Sequence, residues 1–247
     1  FGSLTEHGFI GKAILVRDAE KAVRFYLSEP MVGDPKDIRE FKELVKTHWG
    51  QWGYLLHQAP RPSNYRSVIT YLKDHPHDYR KAVNLIQDRL LSIYLSAYQS
   101  WIWNRILAYY LERDGPVSTR VDIVGTDFPL PQPDGDVETL KSLEIDLPRL
   151  TARYEGPFSE AAAAVFEMEE LSLNDFKARI LRRVYLSKGE RPVWFAPSEM
   201  QVEDPVADED MPERWAVTVH FTLRSGYYAT LILKAAAAHI GAEFKAR

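Results

Sequence analysis

The chain has 247 residues, of which 45% are hydrophobic, and its 31 basic against 35 acidic side chains give a formal net charge of −4. This length is enough to bury the core of one large domain or of two small ones. The sequence contains no cysteine, which excludes disulfides, thiolate metal ligands and cysteine nucleophiles, and no apolar run has the length of a membrane span. We therefore expect a cytoplasmic protein without a membrane partner, and the acidic balance does not by itself indicate nucleic acid.

Helical patterns dominate the first third of the chain. Apolar residues recur at every third or fourth position, as on a buried helix face, in Ile10–Leu27 and again in Asp37–His48. Pro35 lies near the start of the second pattern, where its missing N–H costs no hydrogen bond. A short helix is predicted to run through Tyr71 and Leu72.

The longest helical pattern covers Lys81 to Arg113, and the rest of the chain is organised around it. Its apolar stripe consists of Ile86, Leu90, Ile93, Ala97, Trp101, Ala108 and Leu111. Asn104 falls on this stripe, and a buried amide needs partners for both its carbonyl and its NH2 group. We therefore expect Asn104 to tie the helix to the backbone of another segment. Ser96, Gln99 and Ser100 lie on a neighbouring row, and spacing alone fits either a core helix or a ligand contact.

Strands and helices alternate beyond the long helix. The pattern predicts a strand at Val117–Val124, a Pro/Gly-rich loop at Phe128–Gly135, a short helix at Glu138–Ile145, and longer helices at Ser159–Glu170 and Asn174–Tyr185. Two strands, Arg191–Ala196 and Arg214–Leu223, then precede a last helix at Tyr228–His239. Two strands make too small a sheet to be stable alone, so we expect a further segment to complete it.

Two clusters have charged or metal-ligating composition. His75, His77 and Asp78 lie in a loop without a further ligand cluster, so we expect no metal there. The segment from Lys177 to Arg191 is locally basic. A solvated helix face and a phosphate-binding strip explain this basic segment about equally well.

The connection between the last strand and the last helix has the features of a binding turn. Ser225 and Gly226 form the turn, and glycine allows the backbone to approach a ligand closely. The N–H groups that begin the helix are free to bind an anion, and Tyr228 at the lip of a cleft can stack on a base. The alternative is a tight connection in which Tyr227 and Tyr228 only pack.

Several short motifs, in order along almost the whole chain, resemble those of the TruD family of tRNA pseudouridine synthases. The string from Leu95 to Asn104 is similar to the family's S-A-x-Q/R-S-x-L-F-N motif, with Trp103 in place of Phe. The string from Phe221 to Thr230 is similar to F-x-L-P-x-G-S-Y/F-A-T, with Arg224 for Pro and Tyr227 for Ser. Weaker matches are Phe1-Gly2-Ser3 (the tail of N-Y-F-G-x-Q-R-F-G), Gly11-Lys12-Ala13, His75-Pro76, Asp78-Tyr79, Glu190-Arg191-Pro192 and Ala196-Pro197.

This resemblance implies an α+β fold, in which part of a pseudouridine-synthase catalytic sheet carries a mainly helical insertion domain. Residues 1–20 would end the first half of the catalytic domain, residues 21–187 would form the insertion, and residues 188–247 would return to the catalytic domain. It implies conversion of a tRNA uridine, typically at position 13, to pseudouridine, without a metal or other cofactor. Candidate RNA contacts are Phe1, Arg191, Ser225, Gly226 and Tyr228, while Ser96, Gln99, Ser100 and Asn104 form the structural motif of the long helix.

In the family, the nucleophilic Asp lies upstream of the N-Y-F-G-x-Q-R-F-G motif, and Phe1-Gly2-Ser3 resembles only the tail of that motif. None of Asp18, Asp34 and Asp134 has the matching surroundings, so we expect no catalytic residue here and an inactive chain without its N-terminal segment. Two alternatives remain open at this point. One is a non-catalytic RNA-binding relative, and the other is a helical protein-interaction module that fits the acidic charge.

Overall fold

The computed structural model describes residues 4–31, 33–61, 63–115, 117–123, 126–131, 137–211, 213–224 and 227–241. Within these ranges the chain runs β1 (Leu4–Thr5), β2 (Gly8–Phe9), α1 (Ile10–Leu15), α2 (Ala19–Ser28), α3 (Lys36–Thr47), α4 (Trp52–Gln58), α5 (Tyr65–Asp74), α6 (Tyr79–Val83), α7 (Asp88–Asp114), β3 (Val117–Ile123), β4 (Thr126–Pro131), α8 (Glu138–Lys141), β5 (Glu144–Asp146), α9 (Phe158–Met168), β6 (Glu190–Pro192), β7 (Ser198–Val202), β8 (Val206–Ala207), β9 (Trp215–Ala216), β10 (Val219–Thr222) and α10 (Ala229–His239). The predicted α+β class is confirmed. No helix of the described residues is long and apolar enough to cross a membrane.

The predicted helix Ile10–Leu27 is wrong as a single element, because it breaks between α1 and α2. Arg17 adopts a left-handed backbone conformation with φ of 65°, and the Asp18 side chain accepts a hydrogen bond from the Lys21 N–H. An aspartate that caps a new helix in this way stabilises the break. The helix predicted at Asp37–His48 is present as α3.

Helix α7 is the spine of the core, but it begins at Asp88 and not at Lys81. The Asn84 side chain bonds to the Arg80 and Ile180 carbonyls, which ends α6 before α7 starts. The predicted apolar face is also partly wrong, because Ile93 is 48% exposed. The buried face is instead centred on Leu91, Leu95, Tyr98, Ile102 and Ile106.

Helix α1 crosses α7 at very short range. Gly11 is buried, and a Cβ added to it would collide with the Tyr94 carbonyl oxygen and lie 2.8 Å from the Tyr98 Cβ. Only glycine fits this crossing, because backbone atoms of α7 cannot move aside as a flexible side chain can. This contact joins the first described helix to the centre of the fold.

A buried carboxylate links α1, α7 and the end of α9. Glu169 is 7% exposed and accepts hydrogen bonds from Lys12 Nζ and Tyr98 OH, both at 2.9 Å, and from Arg105 Nη1. Burial raises the pKa of Tyr98, and the negative charge of Glu169 adds to that shift, so the phenol stays a neutral donor. Three donors around one carboxylate compensate its loss of hydration.

The chain after α7 departs most from the predicted elements. The predicted loop at Phe128–Gly135 is wrong in its first part, since β3 and β4 form an antiparallel hairpin in which Val121 pairs with Phe128. The predicted short helix at Glu138–Ile145 ends at Lys141, and β5 follows it. Residues 132–136 lie outside the described residues.

The helix predicted at Asn174–Tyr185 is wrong, since only a 3₁₀ turn forms at Asp175–Lys177. Ala178 has φ of 46°, which interrupts any helix at this point. The chain then continues as irregular backbone with a turn and a bend, and buries single apolar side chains such as those of Ile180 and Val184. Long-range packing has overridden the local helical pattern.

The strands near the C-terminus are short and exposed. Strand β6 pairs with β5 and covers only the start of the strand predicted at Arg191–Ala196. The strand predicted at Arg214–Leu223 is divided into β9 and β10, which pair with β8 and β7. Trp215 is 74% exposed and Val202 64%, so one face of these strands lacks a partner among the described residues. The domain division at residues 20 and 187 stays a prediction.

Replacing Gly11 by alanine tests the α1–α7 crossing. We expect Gly11→Ala to lower the free energy of unfolding by about 2–3 kcal/mol, because the new methyl group meets backbone. Gly53→Ala is the control: Gly53 lies in α4 with no atom within 4 Å of the added Cβ. That change should raise stability by up to about 1 kcal/mol. Urea unfolding of both variants gives the comparison, and equal stability of Gly11→Ala and wild type would contradict this packing.

Candidate functional site

A cavity of about 880 Å³ lies between α7, the β3–β4 hairpin, the end of β6 and α10. Its walls are mainly apolar and are formed by Leu107, Leu111, Phe128, Leu130, Trp194, Phe195, Leu231 and Ala235. A space of this size and character accepts a planar organic group of the size of a nucleoside. The cavity is therefore the first candidate for a binding site.

The polar groups that line the cavity are neutral or basic. They are Ser100, Asn104, Tyr228, Thr230, Arg191, Lys234 and His239. No carboxylate lines the cavity among the residues that the structure describes. An apolar pocket with basic groups at its edge favours a ligand that combines a planar apolar part with a negative charge.

Arg191 reaches the cavity because strand pairing fixes its position. In the antiparallel pair of β5 and β6 it lies opposite Ile145, and its Nη1 donates to the Ser100 Oγ of α7 at 3.3 Å. Its side chain lines the cavity. Two residues from separate sequence motifs, Ser100 and Arg191, are thus brought into contact.

The two tyrosines before α10 have different surroundings. The Tyr227 ring stacks on Phe195, with ring centroids 4.6 Å apart and planes at 14°. Tyr228 is 49% exposed and lines the cavity. Tyr227 therefore packs against another side chain, while the Tyr228 ring lies where a ligand can stack on it. The predicted contacts Phe1, Ser225 and Gly226 lie outside the described residues.

The polar motif of α7 divides into structural and cavity-lining residues. Gln99 is 1% exposed, and its Nε2 donates to the carbonyls of Pro148 and Ser187, both at 2.9 Å. Trp103 Nε1 donates to the Ile145 carbonyl at 3.1 Å. Ser96 is half-buried and lies outside the cavity lining.

The expectation that Asn104 ties α7 to another segment is wrong. Asn104 is half-buried, lines the cavity and makes no side-chain hydrogen bond to a described residue. The helix is rotated relative to the predicted stripe, so Gln99 points into the protein and Asn104 toward the cavity. Gln99 therefore makes the backbone tie, and the Asn104 amide is free to bind a ligand.

Two basic residues of α10 were not predicted as site residues. Lys234 donates to the Asp122 carbonyl of β3, and His239 Nδ1 lies 2.7 Å from the Ala235 carbonyl. A signal was present for His239, since it follows Leu231 and Ala235 at intervals of four and so shares their helix face. Trp194 and Phe195 were predicted as part of a strand, which gave no indication that both face a cavity.

The loop with His75 and Asp78 has a structural role. Asp78 caps α6 by accepting from the Lys81 N–H and also accepts a hydrogen bond from Tyr71 OH at 2.5 Å. That bond lowers the pKa of Asp78 and raises the pKa of Tyr71 to about 12. Among the described residues, no group of three or more His, Asp or Glu side chains could hold a metal ion.

Comparison with known proteins gives one family match and several relatives. A family model described as tRNA pseudouridine synthase D (TruD) matches residues 1–130. The "Probable tRNA pseudouridine synthase D 1" of Methanococcus maripaludis is 26% identical over 244 residues, which cover 95% of this chain and 61% of the relative. The "Probable tRNA pseudouridine synthase D 2" of Methanocaldococcus jannaschii is 26% identical over 246 residues, which cover 96% of this chain and 57% of the relative.

A solved structure is also similar. A crystal structure of the Methanosarcina mazei protein that bears the TruD name superposes with a TM-score of 0.66 at 23% identity, over 91% of this chain and 55% of that chain. At this identity the likeness concerns the fold alone. The chain spans between about half and three-fifths of the length of the relatives that it matches.

Replacing Gln99 by leucine tests the tie between α7 and the later segments. We expect Gln99→Leu to lower the free energy of unfolding by about 2–3 kcal/mol, because two carbonyls lose their donor and the one of Pro148 is buried from water. Ser96→Ala, in the same motif, should change stability by no more than about 0.5 kcal/mol. Urea unfolding of the two variants measures the difference, and similar stabilities would show that the Gln99 bonds contribute little.

Proposed function

Because the chain belongs to the TruD family of tRNA pseudouridine synthases, we propose that it forms part of an enzyme that isomerises a uridine of tRNA to pseudouridine. The family that the motifs indicated is thereby confirmed, and the activity is proposed. We place the reaction in the cytoplasm and take the target to be the family's typical uridine at position 13. The observation that supports the proposal is the cavity, which brings Ser100, Asn104, Arg191 and Tyr228 together from three separate segments.

The cavity has the properties that an extruded uridine requires. A base inside folded RNA must leave its stack before an enzyme can act on it, and an aromatic platform offsets part of that cost. The half-exposed ring of Tyr228 can supply this platform. The guanidinium of Arg191, held by Ser100, can pair with a phosphate next to the extruded nucleotide.

The Asn104 amide complements this arrangement on the α7 side of the cavity. A free amide offers both a donor and an acceptor, which match the alternating carbonyl and N–H groups on the edge of a uracil ring. Lys234 and His239 add donors on the α10 side. These groups bind and orient a nucleotide, and none of them can act as the attacking carboxylate.

We propose that the nucleophile comes from a segment upstream of Phe1, and that this segment is the partner of the described chain. The lack of a carboxylate among the described cavity residues supports this, as does the exposed face around Trp215. In the resulting reaction, an Asp carboxylate attacks the nucleotide, the N1–C1′ bond to the sugar breaks, and the freed base turns. Carbon 5 then bonds to C1′, which releases the carboxylate, while the proton on carbon 5 is lost and N1 is protonated. No redox change or metal is required by this sequence of bonds.

A second candidate is a non-catalytic RNA-binding relative. Tyr227 stands where the family has Ser, and its ring stacks on Phe195 instead of leaving a small polar side chain beside Tyr228. An RNA-binding relative would keep the cavity and lack turnover. The two candidates differ only in whether an upstream carboxylate is present and placed at the cavity.

Release of tritium from tRNA whose uridines carry the label at carbon 5 tests the proposed activity. We expect no release with residues 1–247 alone, and release when a protein extended upstream of Phe1 by its native reading frame is used. Replacing the Asp of that upstream segment by Asn should abolish release without loss of tRNA binding. Release by residues 1–247 alone would overturn the proposed division of the site, and no release by the extended protein would favour the RNA-binding relative.

Replacing Tyr228 tests the stacking platform. We expect Tyr228→Ala to weaken tRNA binding by about 1–3 kcal/mol, the usual contribution of one stacked base, and to leave the thermal midpoint nearly unchanged. Tyr228→Phe keeps the ring and should retain affinity. Filter binding with parallel thermal unfolding separates the two roles. A fall in the thermal midpoint at constant affinity would mean that Tyr228 only packs.

A further inference from the structure

The segment 177–188, which we call the basic strip, carries positive charge on irregular backbone. Its exposed basic side chains are those of Lys177, Arg179, Arg182, Arg183 and Lys188. The sequence has no acidic residue between Asp175 and Glu190. None of the five cations forms an ion pair with a carboxylate in the part of the chain that the structure describes, although many other surface cations do so.

The basic strip also presents an aromatic ring to solvent. Tyr185 is 81% exposed, which is the highest exposure among the large hydrophobic and aromatic residues of the described chain. Its neighbours Val184 and Leu186 face the core. An isolated exposed tyrosine is unremarkable, but one flanked by unpaired cations matches the chemistry of a surface that binds single-stranded nucleic acid.

The strip is held rigidly by side chains of other elements. Asn84 donates to the Ile180 carbonyl at 2.8 Å and accepts from the Arg182 N–H at 3.1 Å. Gln99 donates to the Ser187 carbonyl, and Arg149 Nη1 donates to the Gly189 carbonyl at 3.0 Å. A surface fixed in advance loses less conformational entropy when it binds a ligand.

The strip leads directly to the cavity. Arg191 lies six positions after Tyr185, so their Cα atoms can be at most about 22 Å apart. Arg191 begins the run of cavity-lining residues that continues through Trp194 and Phe195. The strip and the cavity lined by Tyr228 therefore lie within reach of one short stretch of nucleotide strand.

We propose that the basic strip is a second RNA-contacting surface, on which Arg182 and Arg183 bind backbone phosphates and Tyr185 stacks on an unpaired base next to the nucleotide in the cavity. This inference rests on the proposed function, since the ligand is the same RNA. Unpaired RNA is the occupant that fits, because the bases of an A-form duplex are stacked and closed to a side-chain ring.

Binding of residues 1–247 to a tRNA transcript, measured across a salt series, tests the strip. Arg182→Ala/Arg183→Ala should lower the slope of log affinity against log salt by about 1.4 and weaken binding about 25-fold at 0.1 M salt, the counterion-release values for two phosphate contacts. Lys36→Ala/Arg39→Ala, which removes two exposed cations of α3, is the matched control and should change neither value. An equal effect of the two double variants would overturn the strip.

Tyr185→Ala should weaken tRNA binding about 5- to 150-fold without changing the salt slope, and Tyr185→Phe should restore affinity. Neither change should affect binding to a blunt, fully paired RNA duplex. Tyr54→Ala, at another exposed tyrosine, is the control. Unchanged tRNA affinity of Tyr185→Ala would overturn the role of the strip. The same conclusion would follow if polyglutamate, a polyanion without bases, displaced tRNA as efficiently as unlabelled tRNA does. Wild-type protein that binds no tRNA would overturn the proposed function as well, whereas tRNA binding that all variants retain would overturn the strip alone.

Discussion

The buried amide of Gln99 holds together the two parts of the protein that form the candidate site. Its NH2 group bonds at once to the Pro148 and Ser187 carbonyls, which lie in irregular segments before and after α9. Backbone without helix or sheet partners needs other donors, and a side chain from the rigid spine α7 supplies them. The position of β6, and with it that of Arg191, follows from this tie.

The same helix has two chemically different sides. Tyr98 and Arg105 bond to the buried Glu169, which fixes α9 and, through Lys12, α1. Ser100 and Asn104 turn toward the cavity instead. One short run of polar residues thus stabilises the core and lines the site. The residues of the motif on α7 therefore have different roles, some in the core and others at the cavity.

In the proposed RNA-binding site, the cavity and the basic strip have complementary chemistry. The cavity would supply an apolar space and an aromatic ring for a single nucleotide, while the strip would supply positive charge, although the net charge of the chain is negative. A net charge of −4 conceals this distribution, because the acidic side chains are concentrated elsewhere, including in the segment from Glu203 to Glu213. Electrostatic attraction of RNA depends on the local field and not on the total charge.

The sequence by itself determined the family, the helical character of the first half and the importance of α7. It also proposed Arg191 and Tyr228 as RNA contacts, and both line the cavity. These followed from short motifs and from hydrophobic periodicity, which are local properties. It did not determine the rotation of α7, since a helix with apolar residues on several sides gives no unique buried face. Only packing against α1 and α9 decided that Gln99 points inward and Asn104 toward the cavity.

Tertiary structure also decided what the segment after Asn174 becomes. Its residues have adequate helical propensity, but the amides of Asn84 and Gln99 bind its backbone from elements some ninety residues earlier in the chain. Bonds between residues so distant in sequence leave no local pattern from which they could be predicted. For the same reason the basic residues of this segment could be assigned to neither a helix face nor a binding strip until its conformation was known.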